Sequence, residues 1–206
     1  GCGDPVLWDC QNETGAMPSC AYDWFSDWAA LTVGVESLDF GGSYPSSLVV
    51  HGEMAFPVVV HEDNRAVVAA ARVESGAAIH VAHEGQIGGA LLGEADAAQL
   101  LRNAVQWMTG KVSGALVGTH GSMAGVQQVL TEAGHTVQLA DPSTLTGLDV
   151  YVTQTYNAST EEEIAAVQAF VRGGGGIISG GHAWAWSYDN PNPAENHPGN
   201  LLLWDF

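Results

Sequence analysis

The chain has 206 residues, of which 46% are apolar and 26 are glycine, enough for one well-filled core and too apolar for a disordered polypeptide. Its 23 acidic residues against five basic ones give a net charge of −18, which sets nucleic acid and anionic membrane surfaces aside as partners. The acidic excess fits solubility or weak Ca²⁺ binding, although no EF-hand loop is present.

All three cysteines, Cys2, Cys10 and Cys20, fall within residues 1–22, which read as a turn-rich leader; residues 23–206 read as one α/β domain. Cys10 and Cys20 are candidates for a short disulfide in an oxidising compartment. Cys2, followed by Gly3-Asp4-Pro5, looks like the mature end of a bacterial lipoprotein; a free or intermolecularly paired Cys2 is the alternative. The leader therefore predicts an extracellular or cell-surface location, with membrane contact only through a lipid anchor at Cys2. No run of apolar residues is long enough to span a membrane.

A short helix over 23–30 carries Trp24, Phe25 and Trp28, an aromatic face for packing. The β-rich part, 44–83, contains four strand candidates at 48–51, 57–60, 66–71 and 77–82, with Glu62-Asp63-Asn64 turning between the second and third. The period then changes. Leu91, Ala95, Ala98, Leu101, Val105 and Met108 recur at helical spacing, and Gly110 stops them. Strand–helix repeats fill 91–206: a strand at 115–118, a helix at 122–133 burying Met123, Val126, Leu130 and Ala133, and strands at 136–139 and 149–153. A helix at 160–171 and a strand at 176–179 complete them. This order predicts a mainly parallel sheet flanked by helices, with flavodoxin-like layering. Ser159 and Glu162 have capping-box spacing, and Glu161-Glu162-Glu163 suits the positive end of that helix dipole.

Ligands of open parallel sheets sit beyond the carboxyl ends of the strands. There the sequence places His83 and Glu84, His120, Tyr156 and Asn157, and His182 with Trp184 and Trp186 just beyond. These eight residues form the candidate binding cleft. Imidazole and carboxylate suit a transition metal held by His83, Glu84 or His182, or general acid–base work; hydrogen bonding of turns is the plainer role. No other cofactor is indicated. His51, His61, His80, His135 and His197 are less suggestive. Catalytic motifs are missing: no G-x-S-x-G surrounds Ser122, the glycine runs lack a Walker lysine, and Arg65 and Ile87 stand where a zinc-protease helix would need its second histidine. No catalytic residue is assigned.

From about Tyr44 to Leu203 an extended pattern is present. It runs from Pro45 through His51-Gly52-Glu53-Met54 to Val58, then Val81-Ala82-His83-Glu84-Gly85 and Leu101-Arg102-Asn103-Ala104-Val105-Gln106-Trp107. It continues with Tyr156-Asn157, the stretch from Phe170 to Trp184, and Pro198-Gly199-Asn200. This pattern resembles the N-terminal region of the TRP-channel-associated factors and of related secreted proteins with an enhancin-type mucin-peptidase domain further on. The resemblance implies a fold like class I glutamine amidotransferases, with the nucleophile elbow near Gly181 or His182. Neither can be the nucleophile, so a non-catalytic version of the fold is implied, and the chain reads as truncated at its C-terminus relative to that family.

Three functions follow from the sequence. The first is an extracytoplasmic binding or assembly module of a larger peptidase-like surface protein, holding a protein or glycan at the Trp184–Trp186 rim. The second is a hydrolase using His83, Glu84 and His182, with or without a metal. The third is a self-associating extracellular structural protein whose apolar tail, 201–204, completes a neighbour's sheet.

Overall fold

The computed structural model describes residues 22–42, 44–88, 90–94, 96–121, 123–204 and 206. The cysteine leader, with its disulfide and lipid-anchor expectations at Cys2, Cys10 and Cys20, lies outside them, as do Ala95 and Ser122. Helix α1 (Trp24–Thr32) begins where the Asp23 carboxylate accepts the Phe25 N–H. It buries Leu31 and is pinned to the next strand by Trp28, whose Nε1 donates to the Val58 carbonyl at 3.0 Å. Strands β1 (Ala55–Val60), β2 (Ala66–Val73) and β3 (Gly76–Val81) form an antiparallel meander. Asn64, in the left-handed region at φ 66°, makes the β1–β2 turn at the expected place. The strand expected at 48–51 is reduced to a single bridge between Leu48 and Ala66. Beyond it Val49 turns out to solvent, because this segment edges a cavity rather than a sheet.

After β3 come α2 (Gly85–Gly88), a 3₁₀ turn at Ala90–Gly93 and α3 (Ala97–Thr109). The helix expected from Leu91 thus starts six residues later by position. The Asp96 carboxylate accepts the Glu36 and Ser37 N–H groups at 2.7 and 3.1 Å, which fixes the loop after α1 against the new helix start. Its buried face is wider than one stripe: Leu100, Ala104, Trp107 and Asn103 join Leu101 and Val105. Asn103 is buried because its Nδ2 donates to the Leu31 and Val33 carbonyls, satisfying the end of α1. Then follow β4 (Leu116–Thr119), α4 (Ala124–Glu132), β5 (Thr136–Leu139), β6 (Val150–Gln154) and a 3₁₀ turn at Thr155–Asn157. The remaining elements are α5 (Glu161–Arg172), β7 (Gly176–Gly180), α6 (Ala183–Trp186), α7 (Pro193–Asn196) and α8 (Pro198–Leu203).

The seven strands form one sheet in the order β1-β2-β3-β7-β6-β4-β5, parallel from β3 onward. Leu31, Ile87, Leu100, Val105, Val126 and Leu130 place α1 to α4 on one face. Val167, Val171 and Leu202 place α5 and α8 on the other. The tail expected as a spare strand is instead helix α8, with Leu202 fully buried against α5. A strand there would forfeit that packing, so sheet completion by residues 201–204 is ruled out in this fold.

The capping box of α5 is shifted by one residue from Ser159 and Glu162. Thr160 Oγ1 accepts the Glu163 N–H at 3.2 Å and Glu163 Oε2 accepts the Thr160 N–H at 3.1 Å, while Ser159 only donates to Glu163. Thr160→Ala should therefore cost about 1 kcal/mol in urea unfolding and Ser159→Ala less than about half of that; equal losses would contradict this register.

Candidate functional site

Neighbouring strands β3 and β7 send the chain to opposite faces: β3 leads into α2, β7 into the helices that end in α8. A crevice opens between their carboxyl ends, the usual place for a ligand in such a sheet. At the end of β3 the chain turns at once into α2. The Gly85 N–H donates to His83 Nδ1 at 2.9 Å, and the Ile87 and Gly88 N–H groups donate to the Glu84 carbonyl. At the end of β7 the absence of a side chain on Gly180 lets α2 approach, since a Cβ there would lie 2.9 Å from Ile87 and 3.2 Å from the Glu84 Cα. His182 follows, anchored on both backbone groups by one phenol: its N–H donates to the Tyr156 hydroxyl at 2.5 Å, and that hydroxyl donates to its carbonyl at 3.2 Å.

The two turns bring His83, Glu84 and His182 together. One ligand-capable atom from each lies within 4.8 Å of the others. His182 Nδ1 is 3.3 Å from Glu84 Oε1 and 3.1 Å from Oε2, and the two imidazole rings are 3.6 Å apart between centroids. Both histidines are buried, at 8% and 7% exposure. His182 Nε2 and Glu84 Oε2 are buried with no hydrogen-bond partner among the described residues. Burial and the neighbouring His182 hold the His83 pKa down, against the pull of Glu84. Burial pushes the Glu84 carboxyl up, but the hydrogen bond from His182 and its charge outweigh it, so the net shift is downward. Burial raises the Tyr156 phenol to about 12, keeping it a neutral hydrogen-bonding post.

The remaining expected cleft residues divide. Trp184 packs on His182 with ring centroids 5.6 Å apart, donates Nε1 to the Tyr44 carbonyl and meets Tyr188 edge-on, so Tyr44, Trp184 and Tyr188 make an exposed aromatic rim. Trp186 turns the other way, onto His197. Asn157 donates to Thr153 Oγ1 at 3.3 Å and holds the turn after β6. His120 ends β4, beside Asp141 electrostatically, and two strand spacings from β7, roughly 10 Å. The structure therefore does not gather His120, Asn157 and Trp186 with the other five.

Sequence reasoning passed over His197. It caps α8, its Nδ1 accepting the Gly199 N–H at 3.1 Å, and it is wedged edge-on against Tyr156 and Trp186, with Nε2 buried and without a hydrogen-bond partner among the described residues. Burial lowers its pKa. A histidine immediately before Pro198-Gly199 at a helix start was the available signal. Also unforeseen is a cavity of about 610 Å³ on the second face, lined by Ala69, Ala71, Ala78, His80, His197 and Trp204 among others. Burial brings the His80 pKa down to about 3, so it is neutral, its Nδ1 sharing a hydrogen bond with Ser179 Oγ at 2.9 Å.

A mixed, mostly parallel sheet flanked by helices, with antiparallel strands on one side and a His–Glu cluster at the strand ends, defines an α/β domain with a buried polar crevice. The family model TCAF_N, described as "TRPM8, N-terminal domain", matches residues 11–206, and the chain belongs to that family. Cattle TRPM8 channel-associated factor 2 is 35% identical over 190 residues, 91% of this chain and 20% of that protein. Its human counterpart is 36% identical over 180 residues, covering 86% and 18%. The chain thus spans about a fifth of the length of these relatives. IMPa of Pseudomonas aeruginosa, a metallopeptidase by its description, shares the fold at a TM-score of 0.65 and 18% identity, over 86% of this chain and 21% of that one. The relatives overturn the expected bacterial-lipoprotein-like, extracellular location. They are vertebrate factors named for association with an ion channel.

Proposed function

We propose that this domain is a non-catalytic protein-binding module whose partner docks on the aromatic rim of Tyr44, Trp184 and Tyr188 over the crevice. The observation that carries it is the β7–α6 turn. In an amidotransferase-like arrangement, the finer reading of the fold, this strand-to-helix turn would present the nucleophile, and here it carries Gly181 and His182. The rim supplies what a binding face needs: Tyr44, Trp184 and Tyr188 are 78%, 40% and 78% exposed, and rigid aromatics are the commonest anchors of protein interfaces. The relatives' names, which tie those proteins to the TRPM8 channel, make a channel of that kind the first partner to try.

The test is immobilised chain against detergent-solubilised TRPM8. Saturable binding, weakened about tenfold or more by Trp184→Ala with Tyr188→Ala and accompanied by no turnover of peptide or ester substrates, supports the reading. Binding indifferent to the rim, or none, sinks it. The hydrolase reading retains one specific observation, the Glu84–His182 contact with Nε2 unpartnered, which is how a general base is oriented; turnover abolished by His182→Ala would favour it.

A further inference from the structure

We propose that His83, Glu84 and His182 form a binding site for one first-row divalent cation, with Zn²⁺ the chemistry they fit best. The donor set is two imidazoles and one carboxylate, each contributing an atom within 4.8 Å of the others. That is the ligand set of three-coordinate protein zinc sites that leave a fourth position for water. Nitrogen–oxygen donors of this kind also favour zinc and its late first-row neighbours over Ca²⁺ or Mg²⁺, which prefer all-oxygen shells.

Two details of geometry separate this cluster from an ordinary ion pair. A charged imidazole–carboxylate hydrogen bond contracts to about 2.7–2.9 Å. Here both carboxylate oxygens stand off from Nδ1, at 3.3 and 3.1 Å, and Oε2 has no hydrogen-bond partner among the described residues. Two ligands on one tetrahedral ion with bonds of 2.0–2.1 Å are separated by about 3.3 Å, so the spacing is that of neighbours around a cation. The second detail is the orphaned carboxylate oxygen. Glu84 Oε2 has no hydrogen-bond partner among the described residues, and buried polar atoms are rarely left so. A cation beside His182 Nδ1 takes up that oxygen and the Nδ1 lone pair at once, with the ring proton on Nε2.

His83 joins at a cost. Its Nδ1 now accepts the Gly85 N–H, and a ring that turns a lone pair to an ion gives up that bond or moves its proton; one neutral hydrogen bond is small beside a metal–nitrogen bond. The ring positions are otherwise built into the fold. Tyr156 clamps the His182 backbone, and the α2 turn fixes His83 and Glu84 at consecutive positions. The acidity of the chain, −18, favours cation entry.

The experiment is Co²⁺ titration of the whole chain with its cysteines alkylated, because Cys2, Cys10 and Cys20 would compete for the metal. Visible d–d absorption reports four- or five-coordinate binding, and Zn²⁺ displaces the probe. One equivalent per chain is expected, with affinity falling tenfold or more in Glu84→Gln and in His83→Ala. His182→Ala should abolish binding. Zn²⁺ should raise the Tm of the parent chain and not that of His182→Ala. Glu84→Gln preserves size and keeps an acceptor for His182, so it stays informative if His182→Ala does not fold. His61→Ala, which alters the exposed His61–Asp63 pair, should leave binding unchanged. The proposal is overturned if the alkylated, folded chain shows no saturable Co²⁺ uptake. It is equally overturned if uptake is indifferent to Glu84→Gln and His83→Ala, or if His61→Ala removes it.

Discussion

Gly181→Ala should lower stability by about 2–3 kcal/mol, a fall in Tm of about 5–10 °C for a chain of this size, and should displace His182 from its partners. A Cβ built on Gly181 lies 2.3 Å from Thr155 Oγ1, with the Tyr156 hydroxyl at 3.5 Å and His197 Cε1 at 3.6 Å just behind. None of these can retreat easily. Thr155 is fully buried, with its hydroxyl on the Gly180 carbonyl, and His197 is 2% exposed. The strain must therefore be released in the turn itself, which moves the His182 N–H off the Tyr156 hydroxyl and its ring away from Glu84. Gly93→Ala is the control, because nothing among the described residues lies within 4 Å of its added Cβ. A double-mutant cycle with Thr155→Ala separates the cause: removing Oγ1 should restore part of the loss, a coupling of about 1 kcal/mol or more. Gly181→Ala as stable as the parent, or a loss that Thr155→Ala does not relieve, would show that the turn is looser than its packing indicates.

That turn also marks where the sequence was legible. Strand β5 falls on residues 136–139 as expected, and β3, β6 and β7 within a residue or so, because β3, β6 and β7 are short, largely apolar runs and β5 alternates Thr136-Val137-Gln138-Leu139 two residues after Gly134. His83, Glu84 and His182 could be put at strand ends for the same reason. Strand order was not readable. His80 and Ser179 meet across 99 residues, and nothing in local periodicity says that β7 rather than β4 lies beside β3. His120, at an equally plausible strand end, was grouped with the cluster and belongs two strands away. The large cavity and His197 were hidden for a related reason. Both depend on how the segment 46–51 and helix α8 fold back over the second face of the sheet, a tertiary event that leaves only weak marks in either segment. The α5 cap was misplaced by one because Ser159 and Thr160 are both good caps, and three consecutive glutamates offer each a partner.

A second large effect is expected far from the crevice. Arg72 on β2 grips Asp27 of α1 through two hydrogen bonds, Nε to Oδ2 at 2.7 Å and Nη2 to Oδ1 at 2.8 Å, and its guanidinium lies 4.1 Å over the Trp107 ring of α3. The Tyr22 hydroxyl donates to the same carboxylate. Bidentate geometry, partial burial and the stacked ring make this worth more than an ordinary surface pair. Asp27→Ala should cost about 2–3 kcal/mol, since it leaves the Arg72 charge half-buried and unpaired and releases α1 from the sheet. The pH dependence gives the sharper test. Burial pushes the Asp27 carboxyl up, but the hydrogen bonds from Arg72 and Tyr22, with the Arg72 charge, outweigh it and bring its pKa down from 3.8 to about 2. The unfolded chain therefore takes up this proton before the folded one, so the stabilisation is complete above about pH 4 and is lost as the pH falls towards about 2. After allowance for solvent screening it amounts to about 1–2 kcal/mol. The other carboxylates titrate in parent and variant alike, so the difference between their urea-unfolding free energies isolates Asp27. That difference should be largest near about pH 6 and shrink by about 1–2 kcal/mol near about pH 2.5. A constant difference would mean that the Asp27 carboxylate draws no more stability from Arg72 than a neutral group would, and that α1 is held on the sheet by Leu31, Trp28 and Trp24 packing alone.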